Sequence, residues 1–165
     1  MDKNAAVIAD VMLINKKKAA EDVTFELPSV AFQTADVAAM GTLSIPLVGL
    51  LDDMTMTITK VGVDKGYGTM ITPEKLAIEF RWVQDVVNGD GSVTHNGCKA
   101  FINAIPQEIP SLSVEIGSST EAQPTYTVTR YQLVVDGKET LLVDRLNRRL
   151  KVNGKDYMSS INKLL

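Results

Sequence analysis

The sequence predicts a mainly β protein, an antiparallel β-sandwich or barrel with one or two short helices. Several runs alternate apolar and polar residues, which is the period of a half-buried strand. Asn-Gly and Asp-Gly pairs follow such runs at residues 88–91, 136–137 and 153–154, and they favour the positive φ of tight hairpin turns. Helical spacing is clear only at the C-terminus. We therefore expect one β domain spanning residues 1–165.

Composition limits the function classes. Apolar residues make up 45% and charged residues 22% of the chain, as in ordinary globular proteins. The net charge of −3 argues against a surface that grips nucleic acid, which needs a basic stripe. Cys98 is the only cysteine, so no internal disulfide forms, which fits a reducing compartment.

The N-terminal apolar run at residues 5–14 is half the length of a membrane span and contains Asp10. The charged residues 16–18 follow the run, whereas a secretory signal carries its charge first. We interpret residues 1–20 as an ordered arm without stable membrane insertion. Its apolar side chains, such as Val7, Ile8 and Met12, need a neighbour to bury against.

Residues 23–27 predict a short strand that ends at Pro28, which lacks an N–H to donate. Residues 28–41 are Ala-rich without clean alternation, which suggests an irregular loop or short helix, and a stacking loop if the protein assembles. Two further runs, 42–48 and 54–61, predict a strand pair. In the second run Thr55, Thr57 and Thr59 point away from the core, although strand propensity alone also explains these threonines.

Residues 64–75 are rich in turn formers, with room for one helical turn. Residues 76–87 alternate strongly, with Leu76, Ile78, Phe80 and Trp82 facing inward. A hairpin turn at residues 88–91 then leads into a return strand over 93–109, which we expect to bulge at Asn96-Gly97.

Two further hairpin turns lie near the C-terminus, at Asp136-Gly137 and at Asn153-Gly154. Asp156 is a suitable helix N-cap. Tyr157, Ile161 and Leu164 then recur at helical spacing, which predicts an amphipathic helix over residues 156–165. Ile161 and Leu164 give this helix an apolar side that also needs a neighbour.

No pattern indicates catalysis, a cofactor or a metal site. His95 is the only imidazole, and with Cys98 on the same strand it lacks a third orienting group. Gly66-Tyr67-Gly68 has no third glycine and is better read as a turn than as a phosphate loop. Acidic residues at 52–53 and 85–90 do not follow the spacing of a calcium loop. The sequence predicts a protein that is not an enzyme.

The order of the C-terminal elements resembles the major tail tube protein of contractile-tailed bacteriophages, a family also used by R-type bacteriocins. The resemblance rests on Tyr131 to Gly137, on Asp144 to Asn147, and on Val152 to Asp156 followed by a helix. Upstream, residues 12–15, 27–28, 40–41 and 50–53 are also similar to the family. Residues 64–75 have no clear counterpart, which puts the family's helix in that region in doubt.

The resemblance implies hexameric rings whose strands join into one inner barrel, with the rings stacked into a tube inside a contractile sheath. Its implied partners are further copies of the chain, the sheath protein, a baseplate or tube initiator, and a tape-measure protein in the lumen. DNA would pass without specific binding. The resemblance also implies assembly in the bacterial cytoplasm and a place in a virion tail or a released tail-like particle.

If the chain forms such a tube, Thr55, Thr57 and Thr59 are expected to line its lumen as a polar wall of low charge. The expected contacts between rings are then Val7, Ile8, Met12, Ile161 and Leu164. The main alternative is a β-sandwich binding module for carbohydrate or a protein ligand, although such modules commonly expose aromatics and these are only 5% here. A hydrolase on a β scaffold would need a carboxylate pair in a cleft. A tube-like protein of type VI secretion is a further alternative within the family.

Overall fold

The computed structural model describes all 165 residues and confirms a mainly antiparallel β fold with two short helices. Its layers form an open sandwich and not a closed barrel. The elements in chain order are β1 Lys3–Ile14, β2 Lys17–Glu21, β3 Thr24–Glu26, β4 Phe32–Ala38, β5 Thr42–Leu51, β6 Thr55–Val61, α1 Lys65–Met70, β7 Leu76–Val87, β8 Val93–Pro106, β9 Glu121–Ala122, β10 Thr125–Val135, β11 Lys138–Asp144, β12 Arg149–Val152, β13 Lys155–Asp156 and α2 Ser159–Asn162.

The main sheet has the order β13-β12-β11-β10-β8-β7-β1-β2. A smaller layer is built on β6, which pairs with β3, β9 and the start of β10. The alternating residues of β7 face this layer, and Ile78 and Phe80 lie in the core with Met56 and Ile58 of β6. The predicted inward face of β7 is therefore confirmed, except that Trp82 is only partly buried.

Strand β10 belongs to both layers. It pairs with β8 along one edge, while along its other edge the partner changes from β6 to β11 near Thr129. Before this residue, the N–H of Val128 donates to the carbonyl of Met54 (2.9 Å), and after it the N–H of Arg145 donates to the carbonyl of Thr129 (3.1 Å). The register with β8 shifts between Val128 and Arg130. A bulge bends its strand and increases local twist, so it lets β10 leave the β6 layer and continue beside β11.

The predicted turns at the C-terminal end are confirmed. Asp136 and Gly137 have φ of 51° and 78°, and Asn153 and Gly154 have 51° and 81°. Positive φ at both central residues is the signature of the type I′ hairpin turn, which Asn-Gly and Asp-Gly favour.

The hairpin of β7 and β8 is also confirmed, but the expected bulge at Asn96-Gly97 is wrong. The two strands pair without a register shift, with Gln84 opposite Asn96 and Val83 opposite Gly97.

Residues 1–20 do not form a separate arm. β1 pairs with β7 over most of its length, and β2 folds back on its second half. Met12 and Ile14 are almost fully buried in the core. The expectation that Met12 contacts a neighbouring ring is therefore wrong, since its side chain has no exposed surface to offer.

Residues 28–41 are neither an irregular loop nor a helix, because β4 forms there and pairs with β5 as a two-stranded sheet of its own. β5 consequently pairs with β4 and not with β6, contrary to the predicted strand pair. Most of this hairpin is exposed on both faces. Alternation in β4 is short, with Ala35 and Val37 on one face and Asp36 on the other, which is why residues 28–41 gave no clear strand pattern.

A short helix does occupy the turn-rich region, where the carboxylate of Asp64 caps α1 by accepting from the N–H of Tyr67 (3.1 Å). The C-terminal helix is shorter than predicted. Asp156 lies in β13 and accepts from the N–H of Met158 (2.9 Å), and Met158 occupies the N-cap position of α2. Residues 156–165 therefore contain only four residues of α-helix.

Candidate assembly surfaces

The threonine face of β6 extends over three strands. Thr55, Thr57 and Thr59 point outward while Met56 and Ile58 are buried, as the alternation predicts. In the neighbouring strands, three further threonines stand directly opposite them: Thr127 opposite Thr55, Thr125 opposite Thr57, and Thr24 opposite Thr59.

We call these six residues the threonine ladder. Hydroxyl groups donate and accept hydrogen bonds without carrying charge, so the six threonines are polar and neutral. Glu26 of β3, which is exposed and also stands opposite Thr57, adds one carboxylate to this face. The sequence showed only half of the ladder, because strands far apart in the chain contribute the other three residues.

The outward face of the main sheet is charged instead. Glu79 accepts from Arg81 (3.0 Å), and His95 lies 2.8 Å from a carboxylate oxygen of Asp85. Both pairs are exposed enough that each contributes little to stability. The outward face of the main sheet therefore differs from the threonine ladder in carrying charged side chains of both signs, Glu79 and Arg81 among them.

The hairpin of β4 and β5 has one apolar and one polar face. Cross-strand pairing places Val37 opposite Leu43 and Ala35 opposite Ile45 on the apolar face. On the polar face the hydroxyl of Ser44 donates to Asp36 (3.2 Å). Val37, Leu43 and Ile45 remain exposed, although an isolated two-stranded hairpin is marginally stable in water.

The base of this hairpin is held by Arg145. Its guanidinium donates to the carbonyl of Leu51 (3.0 Å) and to that of Asp52 (2.9 Å). Hydrogen bonds from a charged donor are the stronger class, so the base is fixed while the tip extends from the domain.

The first half of β1 has an open edge. β2 covers only residues 11–14, because the chain turns away at Asp22, whose N–H donates to the carboxylate of Asp10 (2.6 Å). From Lys3 to Asp10, β1 pairs with β7 on one side only. An open edge presents unpaired N–H and C=O groups that can pair with another chain.

The other expected contact residues lie on the surface, on β1 and near the C-terminus. Val7 and Ile8 are exposed by 56% and 53%, on β1. Leu164 is exposed near the C-terminus. Ile161 is partly exposed, and it also packs within the subunit, since a Cβ on Gly49 of β5 would lie 3.2 Å from its Cδ1.

No set of catalytic side chains surrounds His95, Cys98 or the segment Gly66-Tyr67-Gly68. Cys98 is buried, and burial raises the pKa of its thiol, with a smaller contribution from the negative charge of Asp136. Gly66-Tyr67-Gly68 lies within α1. No group of three His, Cys, Asp or Glu residues is placed to hold a metal ion, and neither helix has the length and apolar character to cross a membrane.

Residues 7–165 match the family model of phage tail tube protein FII. The chain belongs to this family. No curated protein sequence matches it.

Two solved structures share the fold of this tail tube family member. One is the sheath-tube complex of an extracellular contractile injection system, PVC, in its extended state, where the matching chain is 15% identical with a TM-score of 0.51. The match covers 76% of this chain and 88% of that one. The other is the sheath/tube terminator of the same kind of system, also 15% identical, with a TM-score of 0.53 over 79% and 96% of the two chains.

Proposed function

We propose that this chain is the structural subunit of the inner tail tube of a contractile injection system, either a phage tail or a tail-like bacteriocin. In this proposal six copies form a ring, rings stack into a tube, and DNA or ions pass through the central channel. The observation that carries the proposal is the family match over residues 7–165. A shared fold with proteins of an extended sheath-tube complex supports it.

The surfaces described above suit such an assembly. The open edge of β1 and the uncovered hairpin of β4 and β5 are liabilities for a free subunit, and contact with other copies removes them. The hairpin and the open edge are different surfaces of the subunit. In this proposal, one copy therefore contacts its neighbour through the hairpin, and the neighbour uses its open edge. Contacts of this head-to-tail kind form rings when they close and filaments when they do not.

We assign stacking between rings to the hairpin, together with exposed Val7, Ile8, Ile161 and Leu164. The proposed partners are further copies of the chain, a sheath protein outside the tube, a baseplate or tube initiator, and a tape-measure protein inside it. The subunit is proposed to be assembled in the bacterial cytoplasm and to have no enzymatic role.

We further propose that the threonine ladder lines the channel. A wall of hydroxyls with the carboxylate of Glu26 allows DNA to slide, because sequence-independent affinity for DNA depends on Lys and Arg contacts to its phosphates, and the ladder offers neither.

Negative-stain electron microscopy of the purified protein across a concentration series tests the main proposal. Hollow rings or tubes with sixfold end views are the expected result. Uniform small particles that also fail to add to supplied tail baseplates would contradict it and favour a ligand-binding module.

The orientation of the ladder is tested by thiol labelling of assembled tubes. Thr57→Cys is compared with Lys99→Cys, an exposed position on the outward face of the main sheet opposite Arg81, both in a background where buried Cys98 is replaced by Ala. A bulky maleimide that cannot enter the channel should label only Lys99→Cys. A large reagent that labels only Thr57→Cys would place the ladder outside.

A further inference from the structure

The sandwich is open along one side, between β1 and β3. A groove of about 300 Å³ lies there, lined by Val7, Asp10, Val23, Thr24, Phe25 and Trp82. We call it the open seam. Four of its six lining residues are apolar, so a free subunit exposes part of its interior to water at this place.

The seam is continuous with the hydrophobic core. Phe80 is fully buried, and the ring of Phe25 stacks on it with centroids 4.0 Å apart. Trp82 lies beside Phe25 at 5.6 Å and is only partly buried. The aromatic stack therefore runs from the core to the surface, and a side chain inserted at the seam would complete its packing.

The seam also borders the open edge of β1, since Val7 and Asp10 contribute to both. Strand addition combines main-chain hydrogen bonds along an open edge with a pocket for alternate side chains. The seam and the edge together have the features that such a site needs.

A matching element is present in the same chain. The apolar face of the β4–β5 hairpin presents Val37, Leu43 and Ile45 beside a free strand edge. Its charged residue Asp36 is on the opposite face, where it accepts from Ser44. The apolar face of the hairpin therefore brings no charge into the seam. The one charged residue of the seam, Asp10, accepts from the N–H of Asp22 (2.6 Å), which offsets part of the cost of covering its carboxylate.

We propose that the apolar face of the β4–β5 hairpin of one copy enters the open seam of a neighbouring copy and closes its sandwich. This inference rests on the proposed self-assembly and names the two surfaces that meet. The occupant is a second copy of this chain, because each subunit carries both an exposed apolar hairpin face with a free strand edge and an apolar groove beside an open edge, and neither is covered within the subunit.

Trp82 is the only tryptophan in the chain, so its fluorescence reports directly on the seam. In assembled wild-type protein the Trp82 emission should shift to the blue, and its quenching by acrylamide should fall severalfold relative to the free subunit. Ile45→Asp should prevent this protection, whereas Ile45→Val should retain it. Tubes in which Trp82 is as quenchable as in the free subunit would overturn the inference while leaving the tube assignment intact.

Disulfide trapping tests the contact independently of tube formation. Val7→Cys and Ile45→Cys are made in separate chains that also carry Cys98→Ala, and the two are mixed and mildly oxidised. A crosslink between the two different chains is expected. In the control, Val61→Cys, which has similar exposure on β6, replaces Val7→Cys and should give none. Failure of the Val7 and Ile45 pair to crosslink more than this control overturns the inference, even where no tube forms.

Discussion

The hydroxyl of Tyr126 donates a hydrogen bond to the carbonyl of Met70 over 2.7 Å inside the domain. Met70 is the last residue of α1, where carbonyls have no partner within the helix. Both residues are fully buried, so no solvent replaces the contact. This bond ties the short helix to β10 and therefore to both layers of the sandwich.

Tyr126→Phe removes that donor and leaves the carbonyl of Met70 buried without a partner. We expect the free energy of unfolding to fall by about 1–3 kcal/mol, measured by urea denaturation. Tyr157→Phe is the matched control, since Tyr157 is 42% exposed and water can reach it, and it should change stability by less than about 0.5 kcal/mol. Equal effects of the two substitutions would contradict the assigned role of the bond.

Alkaline pH should destabilise the subunit. Burial raises the pKa of Tyr126, Tyr131 and Cys98 above their ordinary values, with nearby Tyr67 adding to the shift of Tyr126 and Asp136 to that of Cys98. An unfolded chain releases these protons from about pH 8.5 for Cys and about pH 10 for Tyr, while the folded chain retains them. The unfolded state then binds fewer protons, so stability falls as pH rises through this window.

The measurement is the urea midpoint of the subunit at a series of pH values from 7 to 11. The decline above about pH 10 should be shallower for Tyr126→Phe than for the wild type, because one of the shifted groups is gone. Identical slopes would show that Tyr126 does not contribute to the alkaline loss.

Gly66 is required by a close approach between α1 and β2. A Cβ at this position would overlap the carbonyl oxygen of Ala19, which is backbone and cannot turn aside. Gly66→Ala should therefore cost about 1–3 kcal/mol of stability. Gly68, in the same helix, has no atom within 4 Å of such a Cβ, so Gly68→Ala should stabilise by up to about 1 kcal/mol through helix propensity.

Opposite signs for these two glycine-to-alanine changes in thermal denaturation would support the packing of α1 on β2. A neutral Gly66→Ala would mean that the helix is free to move away from the strand.

Removal of residues 1–20 should unfold the domain. The deletion takes away Met12 and Ile14 from the core and exposes the edge of β7. Loss of large buried side chains costs about 2–5 kcal/mol each, which is comparable to the whole stability of a small domain. Removal of residues 1–6 alone should leave a folded protein with unchanged β circular dichroism, because these residues are exposed. A folded product of the longer deletion would show that β1 is dispensable.

The accuracy of the sequence predictions varied with how local each signal was. The type I′ turns and the long strand β7 were predicted correctly, because Asp136-Gly137 and the alternation around Phe80 are encoded by neighbouring residues. The position of β1 in the main sheet was not predicted. A continuous apolar run such as residues 5–14 does not show which side chains are buried, since that depends on pairing with β7 much later in the chain.

The surfaces for assembly were found only in part. The threonines of β6 were visible as a pattern, whereas Thr24 and Thr125 join them only through strand pairing. The open seam had no signal at all, because Phe25 and Trp82 come from separate strands and each resembles an ordinary core residue. Sites of this kind form only when strands that are distant in the sequence pack together.

Gly137 occupies the second central position of the turn between β10 and β11, with φ of 78°. A side chain meets no atom there, so the expected effect of a substitution is conformational and not steric. Gly137→Val should destabilise the subunit by more than about 1–2 kcal/mol, because a β-branched residue resists the left-handed region. Gly137→Asn should cost less, since asparagine tolerates that region.

Both Gly137 variants are compared with the wild type by urea denaturation and then by electron microscopy for ring formation. The difference between Val and Asn isolates the backbone requirement, since both add a side chain in open space. Strand β11 connects β12 and β13 to β10 within the main sheet, so a loosened turn should also reduce the yield of assembled particles. Equal stability of Gly137→Val and the wild type would show that the turn relaxes to another type without loss.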